Sequence, residues 1–326
     1  MDVAAPTSTD YARHSAYSDP GPHASLLGAV APDRASVASA ARRVVVHYRA
    51  GRPALTQEQR ADPDRRWLAS ILDAAAARQP GPLDAPRDLG RQVAGCCRDH
   101  TLFSVGVLRE HGVRARSRVG FARYFEPSFR HEHAVVETWD GDRWVRWDPA
   151  LERAARWGFD VEDMPVGPVA PFETAAEVWR AIRSGTADPA SYGVDSSLPQ
   201  VGGQALVRES VLVELAHRQR DELLLWDMWG PMLRSPALAG LVARARLAAP
   251  DIDADTFDAL VDEIAAMLVA ADAGDASAEA KLAQRYASDP LLRPGDRVVT
   301  ASQSGRTGVT DLRTCSTQWF SAPPAP

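Results

Sequence analysis

Apolar residues recur at helical spacing over Ser36–Arg49, where Val37, Ala40, Val44 and Tyr48 share a face, and this pattern predicts a helix. A second helix is predicted over Pro63–Arg78 from the stripe Trp67, Ile71 and Ala74. The run Gln79-Pro80-Gly81-Pro82 stops it, and residues 50–62 read as the connector between the two. From residue 85 a loop feeds a third helix. Leu102, Val105 and Leu108 mark its apolar face, and Gly112 after His111 supplies a left-handed C-cap. The period then changes from helical to alternating. Val113–Phe121, His133–Trp139 and Arg143–Asp148 read as three strands, and Asp140-Gly141 between the last two is a hairpin signal. The segment 95–150 is therefore expected to run helix, strand, strand, strand.

Beyond Asp148 the pattern is helical again, over 172–184, 203–220, 236–248, 253–270 and 276–287. After Pro294-Gly295, Arg297–Ala301 resembles one short strand, and the tail to Pro326 reads as irregular. Residues 1–25 are polar and rich in Ala, Ser and Pro, which predicts a flexible N-terminal segment. Ser196, Ser197 and Pro199 form a linker-like stretch. This gives a core over 26–195 and a mainly helical region over 196–326, either separate or packed on the core.

Composition narrows the function. With 45% hydrophobic and 25% charged residues in 326, the chain reads as a folded globular protein, and its net charge of −6 argues against nucleic acid as partner. No apolar run approaches the roughly 20 residues that span a bilayer, so no membrane partner is expected. The first residues lack a basic stretch followed by an apolar one, so the expected location is cytoplasmic. Cys96, Cys97 and Cys315 form neither a disulfide framework nor a zinc-binding spacing. No metal and no cofactor is expected.

A thiol attacks as the thiolate, which a helix N-terminus and a nearby imidazole both favour. Cys97 stands just after Gly95 at the start of the third predicted helix. His133 opens a strand, and Asp148 ends the strand paired with it, so the hairpin brings imidazole and carboxylate together. An aspartate bonded to the imidazole fixes its tautomer. Cys97 as nucleophile, His133 as base and Asp148 as its brace are thus the candidate catalytic residues. Cys96 and His131 are competitors for the first two roles; position favours Cys97, and strand register favours His133. His100 is expected to support the site or to be solvated rather than to catalyse, Asp99 to be a helix N-terminal carboxylate, and Arg42-Arg43 to be solvated surface. Trp144, Trp147 and the pair Trp226 and Trp229 are expected to serve packing.

Gly95-Cys96-Cys97-Arg98-Asp99-His100-Thr101, Leu108-Arg109-Glu110-His111-Gly112-Val113-Arg114-Ala115-Arg116, Val119-Gly120-Phe121-Ala122, His133-Ala134-Val135-Val136-Glu137 and Trp144-Val145-Arg146-Trp147-Asp148-Pro149 together resemble the core of the bacterial transglutaminase-like superfamily. Trp226-Asp227-Met228-Trp229-Gly230 and the stretch from Trp179-Arg180 to Tyr192-Gly193 extend the likeness. The resemblance implies an α+β, papain-like fold with the nucleophile helix packed on an antiparallel sheet and a helical C-terminal extension. It places Cys97, His133 and Asp148 on the catalytic positions. It implies acyl transfer from an amide, ester or thioester through a thioester on Cys97, ending in hydrolysis or in amide formation. Some such proteins make amides in natural-product biosynthesis, where the donor can be a thioester on a carrier protein; others keep the fold as inactive interaction proteins. Two departures bear on substrate. Cys96 stands where Gln or Asn usually precedes the nucleophile, and Ala134 stands where Trp often follows the histidine.

Overall fold

The computed structural model describes residues 9–51, 53–167 and 169–320. Its helices are α1 (Ala24–Gly28), α2 (Arg34–Val44), α3 (Leu68–Arg78), α4 (Cys97–Glu110), α5 (Ala175–Arg183), α6 (Gly203–Arg218), α7 (Ala239–Arg244), α8 (Ala254–Asp272) and α9 (Ala276–Ser288). Its strands are β1 (Val45–His47), β2 (Val93–Gly95), β3 (Ala115–Glu126), β4 (Phe129–Trp139), β5 (Trp144–Trp147), β6 (Phe172–Thr174), β7 (Tyr192–Gly193), β8 (Asp227–Met228), β9 (Arg297–Ala301), β10 (Thr307–Asp311) and β11 (Ser316–Phe320).

The architecture is α+β. A mainly antiparallel sheet in the order β5-β4-β3-β6 is crossed by α4, and β7 adds to β4 in parallel. Leu102, Phe103, Val105 and Leu108 of α4 share one apolar core with Val119, Phe121 and Val136 of the sheet. Residues of α2, α3, α5, α6, α8 and α9 join the same core. On its outer edge β4 pairs with β5 through Val136–Trp139 and with β7 through Arg130–His131. Glu132–Val135 lie between these two contacts with no strand beside them among the described residues, and this gap is where the site opens.

Several expectations change. The helix predicted over Ser36–Arg49 ends at Val44, and Val45-Val46-His47 becomes β1, parallel to β2. Three successive valines favour a pleated strand over another helical turn, and β2 offers the ladder partner. Residues 122–132, between the first two predicted strands, form the end of the β3–β4 hairpin. A register shift between Ala122 and Glu126 lets both strands continue almost to the turn. The flexible segment expected over 1–25 is corrected for residues 9–25, while residues 1–8 lie outside the described residues. Tyr11 and Tyr17 are buried, Tyr11 Oη donates to the Arg218 carbonyl at 2.9 Å, and Ser15 Oγ donates to Glu222 Oε2 at 2.5 Å. Two buried aromatic rings with matched polar groups outweigh the polar composition.

The C-terminal region is less helical than expected. After the expected strand Arg297–Ala301, the tail forms β10 and β11, making a sheet in the order β11-β10-β9-β8. Alternation in Thr307–Asp311 and a turn at Ser304-Gly305, with Gly305 at φ 79°, carry the first return. This sheet joins the rest through a buried clamp. Arg66 Nε and Nη2 donate to Asp227 at 2.7 and 2.6 Å, and Thr300 Oγ1 donates to the same carboxylate at 2.8 Å.

Removing one partner of a buried pair strands the other charge. Asp227→Ala should lower the unfolding free energy by about 3–5 kcal/mol in urea denaturation. A loss under about 1 kcal/mol would reduce the clamp to the level of an exposed ion pair.

Candidate active site

The first turn of α4 is built before the nucleophile is reached. Cys96 is the N-cap, and its N–H donates to Asp99 Oδ2 at 2.7 Å. A side chain on Gly95 would collide with that carboxylate, since a Cβ there would lie 2.6 Å from Asp99 Oδ2. Arg98 donates to Asp99 Oδ1 at 3.0 Å and also to the carbonyls of Arg66 and Glu222, which fixes the turn to distant chain. Asp99 therefore serves the helix start, as its position predicts. Its pKa is nonetheless raised, because burial outweighs the pull of Arg98.

The three candidate residues converge. Val136 pairs with Trp147, so continuing the antiparallel register sets Asp148 opposite Val135, on the face of β4 that also carries His133. His133 Nε2 donates to Asp148 Oδ2 at 2.8 Å. Cys97 is buried, and it lines the same cavity as His133. Its thiol sits well below the ordinary range. The hydrogen bond with Cys96 contributes most and the positive His133 adds to it, against the opposing effect of burial. Burial alone would lower His133, but Asp148 and the Cys97 thiolate reverse this and push it up to about 10. Asp148 lies below its ordinary range; burial opposes this, and His133 prevails. Both directions favour a thiolate beside an imidazolium over the neutral pair.

The competitors are elsewhere. Cys96 is raised well above the ordinary thiol range, first by its hydrogen bond to Cys97 and then by burial, so it stays a thiol. His131 sits at the cavity rim with Nε2 at 3.4 Å from Glu126. His100 donates from Nδ1 to the Cys96 carbonyl at 3.0 Å, and burial lowers its pKa, so it remains neutral. Ala134 is fully buried and packs on Cys96 and Cys97, leaving no room there for a tryptophan.

Two residues that the sequence reading did not single out complete the surroundings. Tyr124 Oη donates to Asp148 Oδ2 at 2.6 Å, so that oxygen receives both the tyrosine and His133. The register shift near the end of β3 gives Tyr124 this position. His47 lines the same cavity as Cys97. The Val44-Val45-Val46 run could have revealed the strand that carries it. Arg42, expected as solvated surface, also lines the cavity and donates to the Pro149 and Leu151 carbonyls at 3.1 and 2.8 Å, bracing the chain after Asp148. The tryptophan pair divides. Trp229 is buried and donates to the Leu292 carbonyl at 3.0 Å, whereas Trp226 faces the cavity.

Residues 47–149 match the model of the transglutaminase-like superfamily. That segment is similar to a transglutaminase-like core. The match takes in Cys97, His133 and Asp148 and begins at His47. A solved structure described as "a Putative Cysteine Protease from Cytophaga hutchinsonii" aligns with 46% of this chain and 43% of its own, at 16% identity and a TM-score of 0.28. The chain thus spans less than half the length of that protein. A search of curated proteins finds no match.

The cavity over Cys97 measures about 890 Å³. Tyr48, Phe125, Trp157, Leu206, Leu225 and Trp226 give it aromatic and aliphatic walls. Glu132 and Glu209 also line it, and Glu132 accepts from Ser210 Oγ at 2.8 Å. Burial pushes Glu132 up to about 8 and Glu209 up to about 7.

A thiol lying below the ordinary thiol range should be alkylated by iodoacetamide at about pH 6, faster than the exposed Cys315. His133→Ala should slow Cys97 labelling roughly 10²-fold at that pH and far less near pH 9.5. Mass spectrometry of the labelled peptides reads this. Equal, slow labelling of Cys97 and Cys315 in the unaltered protein would refute the ion pair.

Proposed function

We propose that the chain is a cysteine-dependent acyl-transfer enzyme acting through a thioester on Cys97. The observation that carries this reading is the His133–Asp148 hydrogen bond at 2.8 Å beside a buried thiol at a helix N-terminus. In the proposed cycle Cys97 attacks an amide, ester or thioester carbonyl. The imidazolium of His133 gives its proton to the leaving group and then takes one from the incoming nucleophile. Asp148 holds the ring in the tautomer that presents Nδ1 to the sulfur, and Tyr124 holds Asp148. The cavity is of ligand size and mostly apolar, which suits a compact acyl group better than a long peptide.

One observation favours an amine over water as acceptor. Glu132 and Glu209 face the cavity, and neither forms an ion pair among the described residues. Such carboxyls suit a primary amine or a cationic acyl group. This second reading is an amide synthase, and its donor could be a small thioester or one tethered to a carrier protein. A catalytically inactive interaction protein of the same fold is the remaining alternative, and the tests below decide against or for it.

Incubating the protein with an acyl thioester and a primary amine, followed by mass spectrometry, separates the outcomes. A mass increase on Cys97 supports acyl transfer; coupled amide supports the synthase and free acid the hydrolase. Absence of any acyl adduct in the unaltered protein would support the inactive scaffold. Asp148→Asn should cost about 10³–10⁴ in kcat, and Tyr124→Phe about tenfold, each read by product formation.

A further inference from the structure

Acyl transfer places negative charge on the carbonyl oxygen, and donors aimed at that oxygen usually supply the largest stabilisation. The Cys97 N–H is one such donor: it lies in the first turn of α4 and has no acceptor in the chain among the described residues. The cavity wall offers further donors, and of these the Trp226 Nε1–H, although it has no hydrogen-bond partner among the described residues, acts on the Asp64 carboxylate. Asp99 is turned back to the Cys96 N–H, and His100 spends its Nδ1–H on the Cys96 carbonyl. Gln92 spends its amide on the Arg42 and Arg43 carbonyls at 2.7 and 3.1 Å.

His47 is differently placed. It is the last residue of β1 and pairs in register with Gly95, two residues before the nucleophile. The next bond, from the Tyr48 N–H to the Gly95 carbonyl at 2.8 Å, pins this approach. Its ring stacks on Tyr48 with centroids 5.5 Å apart and planes 14° from parallel. His47 Nδ1 accepts the N–H groups of Arg49 and Ala50 at 3.2 and 3.1 Å. A nitrogen that accepts two N–H groups carries no proton, so the single ring proton of the neutral imidazole is on Nε2. No acceptor in the described residues takes that proton, and the ring lines the cavity with Cys97.

We infer that His47 Nε2–H and the Cys97 N–H together form the oxyanion site of the acyl-transfer step. This rests on the reading of Cys97 as nucleophile. As the sulfur attacks, the carbonyl π pair moves to oxygen. When the tetrahedral adduct collapses, that pair re-forms the carbonyl, and the leaving group departs with the proton from His133. Nε2–H donates to the oxygen throughout and transfers no proton. Burial depresses His47 to about 4, against the pull of the Cys97 thiolate, so the ring stays neutral over the range where the thiolate–imidazolium pair exists. The role lies apart from the base role of His133, whose ring is charged at rest.

The test compares two reactions of the same sulfur. Acylation by p-nitrophenyl butyrate passes through an oxyanion; alkylation by iodoacetamide does not. His47→Ala should slow single-turnover acylation of Cys97 by about 10²–10³ while leaving alkylation at neutral pH within about twofold. His47→Gln, whose amide can again donate, should recover much of the loss, and it guards against misfolding of the alanine variant. Unchanged acylation in both variants, or a parallel fall in alkylation, would overturn the inference. If the unaltered protein is never acylated on Cys97, the reading of the nucleophile itself fails instead.

Discussion

A thiolate and an imidazolium can rest together away from water only if fixed dipoles replace the solvent each has lost. The first turn of α4 supplies those dipoles, and the surrounding structure is arranged to hold that turn still. Asp99 closes it from within, Arg98 ties it to the carbonyls of Arg66 and Glu222, and Gly95 gives the carboxylate room. On the opposite side Asp148 meets His133 with one oxygen, while its other oxygen accepts the Ala150 N–H at 2.9 Å. The negative charge of the carboxylate is therefore shared by three donors, counting Tyr124. Each group that bears charge is thus held by backbone or by a partner that is itself held.

The enclosure has a different origin from the chemistry. Cys97, His133 and Asp148 come from one stretch of 52 residues by position, within the span that matches the family model. The walls of the cavity come from β1, the β3–β4 hairpin, α6, the chain around Trp226, and Ala301, the last residue of β9, with Gln303 beyond it. The gap on the edge of β4 between β5 and β7 leaves the space that these walls enclose. Burial there does two things at once. It lets Asp148 act strongly on His133, and it raises Glu132 and Glu209, which form no ion pair among the described residues.

Much of this core was legible because its determinants are local. Gly95 before Cys97, the i, i+3 stripe Leu102, Val105 and Leu108, the Asp140-Gly141 turn and the alternation of His133–Trp139 each specify an element with few competitors. Antiparallel pairing then brings His133 and Asp148 together once the hairpin register is known. What escaped depends on partners distant in sequence. β1 is a strand because β2 lies beside it, and a helical stripe through Tyr48 read equally well until that partner was known. Tyr124 reaches Asp148 through a register shift that no residue type announces. Residues 9–25 look polar, yet Tyr11 and Ser15 find their partners some two hundred positions away. The tail strands β10 and β11 are short and need one another and β9 to exist.

The Arg66–Asp227–Thr300 clamp has a consequence for how such a molecule can diversify. It joins the C-terminal sheet, whose segment Ala301–Gln303 borders the cavity, to the chain just before α3, without touching the nucleophile, the base or its brace. Ancestral drift could therefore reshape one side of the chamber by editing the rim beyond the clamp while the reactive trio stayed constant. Part of the chamber wall thus lies on a length of polypeptide apart from Cys97, His133 and Asp148, fastened by the buried Arg66 guanidinium and by Ser302 Oγ donating to Asp64 at 2.7 Å.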